Sequence, residues 1–214
     1  MAKIAIIGAG AMGTAFAYPC IDNNHDVNII GTHLETKAIE ELNTNRFHSG
    51  LNLEVIKEIK FYKHNLINEV FKIKPDLIVI GVSSKGIGWV ADELTKVSQD
   101  KKLPNLLMLT KGLSIHEKNY ELLVDKLERL LLSKDITNIN LSAVGGPCLA
   151  PGLANRVHSG VVIANKDLNT AKSLSKMLKT NYYHTTPSPD INGVEVCAAI
   201  KNIFLMVIGA ASGL

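Results

Sequence analysis

The chain has 214 residues, 46% of them hydrophobic and 20% charged, a composition that excludes a disordered segment and suits one large domain, or one domain with part of another. A net charge of +3 is too small for a nucleic-acid binder and fits small anionic ligands instead. Three widely spaced cysteines, Cys20, Cys148 and Cys197, make neither a disulfide framework nor a zinc pattern, so no metal is expected and a reducing, cytoplasmic compartment is.

The first element is a short apolar strand over residues 4–7, too short for a signal peptide. Gly8, Gly10 and Gly13 follow it at G-x-G-x-x-G spacing, and a helical pattern opens at Ala11. Strand, glycine turn and helix in that order form a phosphate cradle: Gly8 permits the turn, Gly10 admits a pyrophosphate to the backbone, and Gly13 lets helix and strand pack closely. The helix N-terminus adds free N–H groups and the positive end of its dipole. The helix spans residues 11–22, with Pro19 expected to bend or end it.

A second strand covers 26–30, a helix 35–42, and a polar loop the stretch around Asn43 to Gly50. Strands follow at 59–62, 76–82 and 105–110, with a helix at 85–97 and an amphipathic helix at 117–132. Strands at 139–144 and 160–164, a helix at 167–179 and a last strand at 182–185 complete the series. Alternating strands and helices predict a doubly wound, mostly parallel α/β sheet of the Rossmann type. Residues 1–188 would be a dinucleotide-binding domain.

From Val194 to Leu214 the chain is apolar on nearly every helical face, which predicts a buried helix or a membrane span. Glu195, Lys201 and Asn202 interrupt the run, so a span is not expected. Residues 189–214 instead read as the first helix of an all-α substrate domain. Such a helix needs covering, so the chain is expected to be cut from a longer protein or to find its missing surface in another chain.

In open parallel sheets, ligands bind beyond the carboxyl ends of the strands. Besides the glycine turn, three strand ends carry unusual residues: Gly81-Val82-Ser83-Ser84, Thr110-Lys111-Gly112-Leu113 and Gly145-Gly146-Pro147. Lys111 directly follows a buried strand and should face ligand space. Lys201 sits inside the apolar helix, where desolvation would lower its pKa and suit it to acid–base work. After the second strand, where an NAD-selective site carries Asp or Glu, the chain has Gly31-Thr32-His33, and Glu35 is assigned to the next helix. Without a carboxylate there, nothing repels a 2′-phosphate, and Thr32 and His33 can hydrogen-bond it. NADP is therefore the expected cofactor, with NAD as the other.

These segments together resemble the NAD(P)-dependent glycerol-3-phosphate dehydrogenases of the soluble archaeal and bacterial type. The resemblance runs almost the whole length: GAGAMGTA at 8–15, IIGTH at 29–33, GVSS at 81–84, TKGL at 110–113, GGPCLA at 145–150 and GVEVCAAIKNIFLMVIGAASGL at 193–214. It implies reversible reduction of dihydroxyacetone phosphate, a small phosphorylated substrate, to sn-glycerol 3-phosphate. It gives Lys201 the role of the lysine that polarises the carbonyl and handles its proton. Asn202 would help place the substrate, and Lys111 would hold it beside the nicotinamide. Gly8, Gly10, Ala11, Met12 and Gly13 would line the pyrophosphate, Ser83 would lie near the nicotinamide half, and Ala150 would touch the cofactor. A homodimer is also implied.

Gly145 stands where the family has serine, and an aspartate, a threonine and an Arg-Asn pair that the family carries beyond this helix lie outside the sequence. The chain as written is therefore expected to bind dinucleotide but turn over poorly or not at all. The alternatives are a ketopantoate-reductase-like enzyme, against which TKGL and the GGP block argue, and a non-catalytic dinucleotide-binding module.

Overall fold

A computed structural model describes residues 1–98 and 102–213. In chain order its elements are β1 (Lys3–Ile7), α1 (Ala11–Asp22), β2 (Asp26–Ile30), α2 (Thr36–Asn45), β3 (Phe47–His48), β4 (Leu53–Glu54), β5 (Lys60–Tyr62), α3 (Ile67–Lys72) and β6 (Leu77–Ile80). Then come α4 (Ile87–Val97), β7 (Asn105–Met108), β8 (Leu113–His116), β9 (Asn119–Leu122), α5 (Leu123–Leu132), β10 (Leu141–Gly145), α6 (Ala150–Ala154), β11 (Ser159–Asn165), α7 (Leu168–Leu178), β12 (Tyr183–Ser188) and α8 (Ile191–Ser212). Short 3₁₀ turns precede α3 and α4.

Eight strands form one sheet in the order β12-β11-β10-β7-β6-β1-β2-β5. Every pairing is parallel except β10 with β11. The expected doubly wound α/β sheet is thus present. Its central strands are almost wholly apolar, β6 at every position, because both faces are covered. Ile4 and Ile6 point into one core, with α1, α2 and α7; Ala5 and Ile7 point into the other, with α3, α4 and α5.

The register aligns the strand ends. Ile7 lies opposite Ile30 on one side and Ile80 on the other, and Ile80 lies opposite Met108. Gly8, Gly31, Gly81 and Leu109 are therefore the first residues beyond the carboxyl edge of four adjacent strands. The order of strands reverses at β1, one branch running to β2 and the other to β6, which is the place where such sheets open a crevice.

Several local expectations are corrected. The helix over 117–132 begins only at Leu123, because residues 113–122 form the β8–β9 hairpin. Glu117 and Lys118 both take positive φ (48° and 66°) and make its two-residue turn; their charge reads as a helix surface in sequence. The polar stretch at 43–50 holds the end of α2 and half of the small β3–β4 hairpin. Helix α1, by contrast, keeps its expected bounds Ala11–Asp22 and ends three residues after Pro19.

The largest departure concerns α8. Its first turns pack on β10 and β11, but its second half is not buried: Ile203 to Ile208 are each about 60–74% exposed. Among the described residues it is the one helix long and apolar enough to cross a membrane, by length and composition.

Two contacts seat α8. Val194 packs against Gly145, where a Cβ would come within 2.6 Å of the valine side chain. Glu195 is buried and accepts the Val124 N–H (3.1 Å) at the start of α5. Burial pushes the Glu195 carboxyl up to about 7, and the neighbouring Asp125 adds to the rise. The folded chain therefore holds this proton more tightly than the unfolded one, whose glutamate titrates near 4.5. The stability it confers is full below that lower value and is lost as pH rises through about 7. Glu195→Gln should remove this loss, a difference on the order of 3 kcal/mol between mildly acid and mildly alkaline solution. Denaturant melts of both proteins across that range check it; parallel pH profiles would contradict the assignment.

Candidate functional site

The site is built on the carboxyl edge of the sheet. Gly8 adopts φ +112°, and a Cβ there would lie 2.8 Å from the Gly81 backbone, so the β1 and β6 ends touch through glycine alone. A Cβ on Gly13 would come within 2.2 Å of the Gly8 carbonyl oxygen, which fixes how closely α1 stands over β1. Gly10 differs: its nearest neighbour would be Glu35 Oε1 at 3.8 Å, so the space above it is open. Gly10 is also the N-cap of α1 and offers no side-chain cap, which leaves the first-turn amides of Ala11, Met12 and Gly13 for a ligand. Open floor, free amides and the helix dipole fit a pyrophosphate.

His48 props the turn from behind. Leu51 N–H donates to its Nδ1 (3.2 Å), so its Nε2–H donates to the Ala9 carbonyl (3.0 Å). Sequence reasoning placed His48 in a polar loop and gave it no role.

Met12, Gly81, Val82, Ser83, Ser84, Leu109, Thr110 and Lys111 line a cleft of about 380 Å³ beside the glycine turn. Thr110 Oγ1 donates to the Val82 carbonyl (2.7 Å) and ties two of its walls together. Ser83, singled out from sequence, is thus in the cleft. Ala150 opens α6, which packs on α1, and is half-buried at the flank. A second cleft of about 210 Å³ lies at the amino end of β10, but Asp125 and Glu128 line it and would repel a phosphate.

Lys111 stands at the mouth of the main cleft. Burial first, and then the ammonium of Lys201, hold its pKa below the ordinary lysine range. Lys201, far away in sequence, is near enough for its charge to act on Lys111. Sequence reasoning expected Lys201 to be the buried lysine; it is half-buried at the surface of α8, and the desolvated one is Lys111. Asn202 lies about 100° further round the helix and is exposed. Cys148 packs near both lysines, its thiol pushed up by burial, which keeps it un-ionised and inert.

At the β2 end the expectation of a missing carboxylate is wrong. Glu35 is the N-cap residue of α2, and its side chain turns back over the glycine turn. Its Oε2 accepts the Thr32 N–H (2.7 Å) and the Ala9 N–H (3.1 Å). Beyond it, the exposed His33 ring lies 5.4 Å from the Trp89 ring and 6.5 Å from that of His64. Trp89 was not legible as a site residue, because its place depends on α4 starting just beyond β6. Among the described residues no cluster of three or more metal-ligating side chains occurs.

Residues 3–171 match the family model described as NAD-dependent glycerol-3-phosphate dehydrogenase N-terminus. The chain is 31% identical over 218 residues to a glycerol-3-phosphate dehydrogenase [NAD(P)+] of Levilactobacillus brevis, covering 99% of this chain and 61% of that protein. It is 26% identical over 210 residues to an NADP(+)-dependent glycerol-3-phosphate dehydrogenase of Archaeoglobus fulgidus, covering 98% and 60%. The chain thus spans about 60% of the length of these curated relatives. The crystal structure of a glycerol-3-phosphate dehydrogenase from Coxiella burnetii superposes with a TM-score of 0.81 at 22% identity, over 99% of this chain and 61% of that one. A D-mandelate dehydrogenase solved with NADH shares the fold more loosely, with a TM-score of 0.61 at 18% identity, over 94% and 59%.

Proposed function

The chain belongs to the NAD-dependent glycerol-3-phosphate dehydrogenase family, and on that premise we propose that it carries the cofactor site and the catalytic lysines of an NAD(P)H-dependent reductase acting on dihydroxyacetone phosphate. The observation that carries the reading is an open glycine turn at the carboxyl edge of the sheet with Lys111 lining the cleft beside it.

In this reading Gly8, Gly10, Ala11, Met12 and Gly13 hold the pyrophosphate, while Thr32 and His33 lie at the adenosine end. Ser83 and Ala150 flank the nicotinamide half. The bound cofactor supplies a hydride to the ketone carbon. As that bond forms, the carbonyl electron pair moves onto oxygen, and Lys201 Nζ–H gives this oxygen its proton. In the reverse direction the neutral Lys201 amine takes the proton from the alcohol. Lys111 offers the second positive charge, which draws in the anionic substrate and stabilises the developing alkoxide. Asn202 helps place the substrate only if α8 turns or the substrate reaches round it.

Residues 1–188 form the dinucleotide-binding unit in this proposal, and residues 189–214 the first helix of a helical substrate unit. Helix α8 is read as a docking helix rather than a span, because Glu195 anchors it to α5. A homodimer would shelter the exposed residues from Ile203 to Ile208. The three free cysteines suit a reducing cytoplasm.

The family match favours this reading over the ketopantoate-reductase-like alternative. The test is loss of reduced-nicotinamide absorbance on adding dihydroxyacetone phosphate, run beside ketopantoate. Turnover with the phosphate ester alone supports the proposal. Turnover with the keto acid alone would overturn it, and cofactor binding with no turnover of either would leave a binding module.

A further inference from the structure

We propose that His48 is a positioning residue of the dinucleotide site: it holds the glycine turn so that an amide, and not a carbonyl oxygen, is offered to the ligand. The proposal rests on the dinucleotide reading of the glycine turn and goes beyond it.

The peptide that joins Ala9 to Gly10 decides this. Gly10 has no side chain to restrict rotation, so by itself the peptide can stand either way up. Both ends of Ala9 are tied instead. Its N–H donates to Glu35 Oε2 (3.1 Å). Its carbonyl accepts the His48 Nε2–H at 3.0 Å and, less closely, the Thr14 hydroxyl at 3.3 Å. Thr14 belongs to α1 itself, whereas His48 brings in a separate element, the β3–β4 hairpin.

His48 is built to do this. It is buried, and its Nδ1 accepts the Leu51 N–H (3.2 Å), which orients the ring and keeps its hydrogen on Nε2. The hairpin loop lies against the head of α1: a Cβ on Gly50 would stand 3.2 Å from the His48 ring and 3.8 Å from the Ala11 Cβ. No cis peptide occurs among the described residues, so a carbonyl and the N–H that follows it point in opposite directions. With the Ala9 carbonyl tied to His48, the Gly10 N–H points away from the histidine, and it meets no acceptor among the described residues. An unmet amide at the head of a helix is what an anionic phosphate takes. A flipped peptide would offer that anion a carbonyl oxygen. His48 therefore acts through the Ala9–Gly10 peptide and does not itself touch the ligand.

The test compares the full chain with His48→Leu and His48→Gln. Leucine fills the space without a donor, whereas the glutamine side-chain amide reaches nearly as far as Nε2 and can still donate to the Ala9 carbonyl. Nicotinamide fluorescence gives the NADH affinity, thermal melts report folding, and the Gly10 amide resonance of isotope-labelled protein reports on the peptide itself. His48→Leu should weaken NADH binding about 3- to 10-fold, the weight of one hydrogen bond, and His48→Gln should restore it to within about twofold of wild type. In the wild type the Gly10 amide resonance should move as NADH is added. Unchanged affinity in folded His48→Leu would overturn the assignment, and equal weakening in both variants would make His48 a packing residue only. If neither variant folds, the wild-type resonance decides: a Gly10 amide that stays still while NADH binds overturns the proposal. If folded wild type binds no NADH, the dinucleotide reading fails and this inference fails with it.

Discussion

Replacing Lys201 with alanine is expected to lower kcat for dihydroxyacetone phosphate reduction by about 10²- to 10⁴-fold, the usual weight of a positioned proton donor and oxyanion stabiliser. The affinity for reduced dinucleotide should change by no more than about twofold, because only the transition-state interaction is removed. Val194 against Gly145 and Glu195 at the head of α5 seat the first turns of the helix, and Lys201 follows about two turns on, near enough for its charge to act on Lys111. Lys201 is half-buried, so its truncation leaves the core alone and the variant should fold normally. Steady-state kinetics and a cofactor titration on the same preparation separate the outcomes. An unchanged kcat would remove Lys201 from the mechanism. A parallel loss of cofactor binding would make its role structural.

The second large effect separates two glycines of one motif. Gly13→Val should destabilise the fold by about 3 kcal/mol or more, because its Cβ would stand 2.2 Å from the Gly8 carbonyl oxygen with no side chain able to yield. Gly10→Val should leave stability nearly unchanged. Gly10 has φ −69° and ψ 174°, which any residue adopts, and its Cβ meets only Glu35 Oε1 at 3.8 Å. Yet the valine would fill the floor above the turn, and dinucleotide binding should fall by at least about tenfold, the cost of losing close approach to the first-turn amides. Thermal melts and NADH titrations on both variants check this. A Gly10→Val protein that binds normally would show that the pyrophosphate does not lie on the turn.

The sheet was legible because its central strands are short unbroken apolar runs, as at residues 77–80, bounded by glycine or proline. The glycine turn was legible because each glycine answers a backbone need that spacing alone expresses. The β8–β9 hairpin was not, since Glu117 and Lys118 resemble a solvated helix face and only their positive φ reveals a turn. Lys111 and Lys201 were each legible, one just beyond a buried strand and the other inside an apolar helix, and family resemblance supplied their joint role. Glu35 was misread for a simple reason. Sequence places it correctly at the start of a helix, but its side chain turns back because the Ala9 amide, contributed by another strand end, lies within reach. The exposed half of α8 illustrates the same limit, because an all-round apolar helix predicts burial without saying what buries it.

The most direct test of the central claim is to incubate the protein with dihydroxyacetone phosphate and reduced dinucleotide deuterated at the transferring nicotinamide carbon, then to weigh the product. The account predicts glycerol 3-phosphate carrying deuterium on the former ketone carbon, detectable even from a single turnover. Bound cofactor with no deuterated glycerol 3-phosphate, or product carrying only solvent hydrogen at that carbon, would contradict it.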